Sequence, residues 1–261
     1  ALVCGHLPGA GALPRHRLLE ALPVHVDALL TCDLLGELQG KTVGIVEFEG
    51  RLAREHRTGG EPGEARGITV LLLDPGTDGV SLAELKTIAR DKRFRVDLDS
   101  ARAEDVLGPV GEAYEPLRRA LDRAVVLECA TLLGGAEQEL EMTAAYTKER
   151  VQFGRPIGTF QAVQHRLADM YIDVQASRWT TYQAAWRLSE GLQAERELAI
   201  AKLITGRATQ RVASSAQQLH GGIGVDMDYD LQFYYRRQKA LELSHGTPAD
   251  HLRRLVEALG L

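Results

Sequence analysis

The sequence predicts an α+β fold that is mainly α: a small β-domain followed by an antiparallel four-helix bundle. Three observations predict it. Beyond residue 112, apolar residues recur at helical spacing through long stretches joined by short links, which is how antiparallel neighbours in a bundle read. Before residue 112 the apolar runs are short, β-branched and closed by turn residues, as strands are. Hydrophobic residues make up 44% of the chain and charged residues 26%, a balance that supports a core.

Taken in order, residues 16–38 carry Leu18, Leu19, Leu22, Leu29, Leu30, Leu34 and Leu35 and are expected to be helical. Lys41 to Phe48 is apolar and β-branched, a strand. Arg54 to Arg66 is rich in Gly and charge and is expected as an exposed loop. Gly67 to Leu73 is a second strand, closed by the turn signal Asp74-Pro75-Gly76. Phe94, Val96 and Leu98 alternate with Arg95 and Asp97, the period of a half-buried strand. Helices are then expected over Glu115–Val151, Thr159–Glu190, Gln193–Leu219 and Tyr229–Leu243, with a short last one over Ala249–Leu259. Thr159 has N-cap chemistry for the second, whose apolar stripe is Phe160, Val163, Leu167, Met170 and Val174.

The formal net charge of −5 argues against a nucleic-acid partner, because phosphate binding needs a basic surface. Cys4, Cys32 and Cys129 are odd in number and widely spaced, so free thiols in a reducing cytoplasm are expected, with no metal site. No segment has the uninterrupted apolar length of a membrane span, and the first residues lack signal-peptide organisation. The chain does not open on Met, which fits a start that lies further upstream.

The segment Arg150 to Gln161, RVQFGRPIGTFQ, concentrates the chemistry. It reads as a helix end carrying a cation, a Gly-Arg-Pro-Ile-Gly turn, and the next helix start. Arg150 and Arg155 could grip a phosphate-bearing ligand, since the planar guanidinium binds oxyanions in pairs; the plainer alternative is a helix-hairpin turn with surface arginines. Gly221-Gly222 is likewise either a close approach to a ligand or a helix C-cap and loop.

The longer stretch YTKERVQFGRPIGTFQAVQHRLADM resembles, without gaps, the helix-turn-helix signature of the acyl-CoA dehydrogenase family. QQLHGGIGVDMDYDLQFYYRRQKALELSHGT resembles the family's second signature, centred on Gln218-Leu219-His220-Gly221-Gly222. GITVLLLDPGTDGVSLAELK and FRVDLDSARAEDVLG are similar to the end of its middle β-domain. The likeness is strong over residues 127–254, fair over 67–126 and nearly absent before. It implies a bundle of acyl-CoA dehydrogenase type after a truncated β-domain, with a remnant helical segment at 1–40, the β-domain at 41–111 and the bundle at 112–261. It also implies FAD as cofactor, an acyl-CoA substrate and a mostly tetrameric assembly in which FAD lies across a subunit interface. By position, Arg150, Phe153 and Gln161, together with Gln218, Gly221 and Gly222, would hold the adenosine and pyrophosphate end of a FAD whose flavin sits in the neighbour.

Two departures narrow that expectation. The family reaction needs a glutamate to remove the α-proton of the thioester. Where it most often precedes Gly-Thr, this chain has His245 before Gly246-Thr247. At the family's other location, in LDRAVVLECA, Ala124 stands in register, with Asp122 and Glu128 nearby. His245 is either an unusual base or a polar residue of a vestigial site; Glu128 is either a base or a buried polar or interface residue. The second departure is that residues 1–66 contain no match to the family's flavin-covering loop and strand. Both point to a degenerate subunit of a heteromer, α2β2, similar to actinobacterial steroid-degrading acyl-CoA dehydrogenases, acting in lipid metabolism with a partner subunit that supplies the flavin pocket and the base. The rivals are a self-sufficient dehydrogenase and a non-enzymatic scaffold. Trp179, Tyr182 and Trp186 read as core or interface, and Tyr234 to Arg237 as a subunit contact with a weaker claim on a CoA phosphate.

Overall fold

The computed structural model describes residues 42–43, 69–73, 76–91, 93–101 and 105–261. The helix expected at 16–38, the loop at 54–66, Cys4 and Cys32 lie outside them. Among the described residues the strands are β1 (Thr42–Val43), β2 (Val70–Leu73), β3 (Val80–Leu85), β4 (Arg93–Leu98), β5 (Asp105–Leu107), β6 (Val151–Gln152) and β7 (Arg155–Pro156). The helices are α1 (Tyr114–Glu149), α2 (Gln161–Ser189), α3 (Glu195–His220), α4 (Leu231–Leu243) and α5 (Pro248–Ala258).

The described residues fall into two compact units, those up to 83 with those of 94–120, and those of 84–93 with 121–261. In the first, β2 is the middle strand of an antiparallel sheet ordered β1-β2-β5, with Thr42 opposite Leu73 and Leu71 opposite Val106. Strands β3 and β4 pair separately. Strand β3 escapes recognition by periodicity because its side chains are nearly all exposed, Leu82 and Leu85 among them, so no apolar alternation marks it.

The second unit is the helical bundle, as the spacing predicts. One cluster joins Leu133 and Ala136 of α1, Met170 and Val174 of α2, Val212 and Ala216 of α3 and Leu231 of α4. The other joins Val125 and Cys129 of α1, Ala184 of α2 and Leu198 and Ala201 of α3. Small residues at these contacts let the helix axes approach closely. At Gly206 of α3 a Cβ would lie 2.9 Å from Pro248 Cγ, so the α3–α5 crossing needs glycine there. Helix α5 starts on a capping box, Thr247 with Asp250, and carries Pro248 in its first turn. Residues 84–93 join this unit through Arg236, whose Nε donates to the Ile88 carbonyl at 2.6 Å, and through the Arg237–Asp91 ion pair at 3.5 Å. The Tyr234–Arg237 arginines therefore have partners within the chain.

Two expectations need correction. Thr159 does not cap α2: its hydroxyl donates to the Pro156 carbonyl, the helix begins at Gln161, and Phe160 is the N-cap with no side-chain bond. The 3-10 turn Ile157–Thr159 takes the place of the expected cap. Of the two readings of Trp179, Tyr182 and Trp186, core of this chain is corrected and interface stays open, since they are 66%, 56% and 55% exposed.

Candidate functional site

The end of α1 builds the first part of the site. Its last turn is closed by the Arg150 amide donating to the Tyr146 carbonyl at 2.9 Å. Strands β6 and β7 then form a minimal hairpin, Val151 opposite Pro156 and Gln152 opposite Arg155. The two-residue loop is Phe153 (φ 55) and Gly154 (φ 77), the primed geometry that suits hairpin twist. Gly154 adopts it freely, whereas Phe153 bears about 1–2 kcal/mol for a left-handed backbone. Its ring recovers little by burial, since Phe153 is 91% exposed and touches the Phe160 ring only edge-on, at 6.1 Å between centroids. Arg155 lies over the other aromatic, its Cζ 4.2 Å from the Phe160 centroid. The Ile157 amide returns to the Arg150 carbonyl at 2.8 Å, and Gly158 seats the turn on α1, where a Cβ would stand 3.0 Å from the Thr147 carbonyl oxygen. Arg150 and Gln161 are exposed at either end of the hairpin.

The second part is the end of α3. Gly221 (φ 66, ψ −138) is the C-cap, its amide bonded to the Gln217 carbonyl, and a 3-10 turn runs over Gly221–Val225. The C-cap alternative accounts for Gly221 by its positive φ. It does not account for Gly222, where a Cβ would meet nothing within 4 Å. Gly224 differs, because a Cβ there would lie 2.8 Å from the Gln217 carbonyl oxygen. Gln218, Gly221 and Gly222 are all exposed. The two parts meet through Tyr146, whose hydroxyl donates to the His220 carbonyl at 3.3 Å.

His245 and Glu128, separate alternatives as bases, come together in the fold: His245 Nδ1 is 3.5 Å from Glu128 Oε2. Glu128 is already committed. Lys202 Nζ donates to the same oxygen at 2.5 Å and to the Leu241 carbonyl at 2.7 Å, and both side chains of the pair are fully buried. That oxygen is therefore occupied by the ammonium and is not turned toward a substrate. His245 sits at φ 48 beside Gly246 at φ 95, and its carbonyl accepts from His251 Nε2 at 2.9 Å. Burial pushes the His251 imidazole down to about 4, so it is neutral near pH 7 with its proton on Nε2. The neighbouring Cys129 thiol, also buried, is pushed up to about 12 and stays protonated. Lys202 was not singled out by sequence, although one signal was there: it is the lone charge inside the apolar run AIAKLI of α3.

A second buried carboxyl lies elsewhere in the bundle. Gln238 Nε2 donates to Glu139 Oε2 at 2.9 Å, and burial raises the Glu139 carboxyl to about 8. Among the described residues no helix is long and apolar enough to cross a membrane.

The sequence matches the family described as acyl-CoA dehydrogenase, C-terminal domain, over residues 116–260. The chain belongs to the acyl-CoA dehydrogenase family. Among its relatives is the acyl-CoA dehydrogenase IpdE2 of Mycolicibacterium smegmatis, 34% identical over 178 residues, 68% of this chain and 55% of the relative. Similar solved structures include the ChsE4-ChsE5 complex from Mycobacterium tuberculosis, at 35% identity and a TM-score of 0.69, covering 74% of this chain and 52% of that one. A structure of the Tcur3481-Tcur3483 steroid ACAD aligns at 37% identity and a TM-score of 0.68, again over 74% of this chain and 52% of the other. The chain spans about half the length of the curated relatives it matches. Both parts just described, the hairpin after α1 and the glycine turn after α3, lie within the residues 116–260 that the family matches.

Proposed function

We propose that this chain is a subunit of a FAD-dependent acyl-CoA dehydrogenase and supplies the adenosine and pyrophosphate end of a FAD site shared with a catalytic partner subunit. The observation that carries the reading is Phe153, an aromatic held in a left-handed turn, left 91% exposed and met edge-on by Phe160 among the described residues. Such a residue is retained for what lies outside the chain. Open space at Gly222 is the companion observation, since glycine there admits close backbone approach.

The residues present fit the group. Arg150 offers a guanidinium to the pyrophosphate, Gln161 and Gln218 offer donors and acceptors to polar edges, and Phe153 offers an apolar face. FAD, when bound, supplies the hydride acceptor for α,β-dehydrogenation of an acyl-CoA thioester. Removal of the α-proton falls to the partner subunit, because Glu128 is tied to Lys202 and His245 faces Glu128. The assembly that suits this division is α2β2, located in the cytoplasm. The ChsE4-ChsE5 complex among similar structures supports a partner subunit, and the Tcur3481-Tcur3483 steroid ACAD supports a bulky, steroid-derived thioester as substrate.

A second reading, a self-sufficient dehydrogenase that uses His245 as base oriented by Glu128, draws on the 3.5 Å approach of the two side chains. Titration of the partner-containing complex with FAD tests the shared-site reading. Arg150→Ala in this subunit is expected to weaken FAD binding at least about tenfold, the scale of one charge-assisted contact. Unchanged affinity would remove the shared-site reading.

A further inference from the structure

Tyr146 and His220 are conspicuous because they touch each other and each adjoins one of the two exposed segments. Tyr146 is on the last turn of α1; its carbonyl accepts from the Arg150 amide at 2.9 Å. His220 is the last residue of α3 and is followed directly by Gly221-Gly222. Their rings stack at 4.5 Å between centroids with 25° between planes, and the Tyr146 hydroxyl bonds the His220 carbonyl at 3.3 Å. Tyr229 also packs on the imidazole, tilted by 52° at 5.4 Å between centroids. His220 Nδ1 donates to the Ala216 carbonyl at 2.8 Å, which fixes the tautomer and leaves Nε2 as a buried lone pair with no hydrogen-bond partner among the described residues. Gly224 presses on the same residue, a Cβ there meeting His220 Cβ at 3.0 Å.

Packing alone does not call for an imidazole. An apolar side chain would fill the space without leaving a buried nitrogen unsatisfied, which carries a desolvation cost. What histidine adds is orientation. The Nδ1 bond sets the ring plane, the ring plane sets Tyr146, and the Tyr146 hydroxyl returns to the carbonyl that leads into Gly221. The contacts form one continuous chain, from Ile157 to the Arg150 carbonyl, from the Arg150 amide to Tyr146, and from Tyr146 through His220 to Gly221.

We infer that His220 and Tyr146 are positioning residues that lock the Arg150 hairpin and the Gly221-Gly222 turn into one fixed relation, so that the two segments engage FAD as a single unit. The inference rests on the shared-site reading above. Neither residue is assigned a contact with the cofactor; both act through the segments they hold. Burial keeps His220 below the ordinary histidine range, so the link is intact with the imidazole neutral, and protonation of Nε2 would place a donor where no acceptor stands.

A double-mutant cycle on the partner-containing complex, stripped of flavin and retitrated with FAD, tests this. Arg150→Ala, His220→Ala and the double variant are compared, with His220→Phe as the variant that retains the stack. Two segments held as one unit give non-additive losses. His220→Ala should weaken FAD about tenfold, Arg150→Ala should then cost less than about threefold more, and His220→Phe should recover most of the affinity. If His220→Ala does not fold, as judged by circular dichroism, Tyr146→Leu takes its place in the same cycle. Additive losses, or wild-type FAD affinity in His220→Ala, would overturn the link while leaving the shared-site reading intact. Unchanged affinity in Arg150→Ala alone would overturn both.

Discussion

Lys202 and Glu128 show how a charge is retained in a core. Each alone would be ruinous there; together, with the Leu241 carbonyl taking a second ammonium proton, they hold α1, α3 and the end of α4 at one point. Lys202→Met is expected to cost about 3–5 kcal/mol in urea unfolding, because the Glu128 carboxylate is left buried without its counter-charge. Glu128→Leu with Lys202→Met should recover most of that loss. Glu139 is the opposite case, a buried carboxyl whose described partner is the neutral Gln238 amide. Raised from 4.5 to about 8, it binds its proton in the folded state while the unfolded chain has released it. Its contribution is therefore fully present below about pH 4.5 and is lost as pH rises through 8. Thermal unfolding between pH 6 and about 9 should show wild type losing stability with a slope that Glu139→Gln flattens.

At the scale of elements, the two exposed turns place opposite demands on glycine. Gly158 is required from within, by the Thr147 carbonyl, so Gly158→Ala should lower stability by about 1–3 kcal/mol through overpacking. Gly222 is required from without. Gly222→Ala should change folding stability by less than about 0.5 kcal/mol and weaken FAD binding in the complex, a combination read by melting and titration on one preparation. The helices themselves were legible because amphipathic spacing survives packing: Glu115–Val151 was expected and Tyr114–Glu149 forms, Gln193–Leu219 was expected and Glu195–His220 forms. The hairpin was not, because Phe carries no turn signal and left-handed geometry at Phe153 follows from the pairing of Val151 with Pro156. The Glu128–Lys202 pair was equally hidden, its members lying 74 residues apart in sequence.

The whole molecule combines a bundle in the acyl-CoA dehydrogenase family with two exposed segments shaped for a ligand and with a pair of base positions closed on one another. The proposed reading gives this chain one end of a flavin cofactor and assigns the proton transfer to a neighbour. The exposed Trp179, Tyr182 and Trp186 on α2 add apolar surface suited to burial in an assembly. The most direct test is to purify the chain alone and with its partner subunit, and to record the flavin absorbance before and after adding acyl-CoA. The expected result is a complex that carries FAD and bleaches with substrate, beside a lone chain that does neither. Stoichiometric FAD and full turnover in the lone chain would contradict the shared site and return the base to His245 or Glu128.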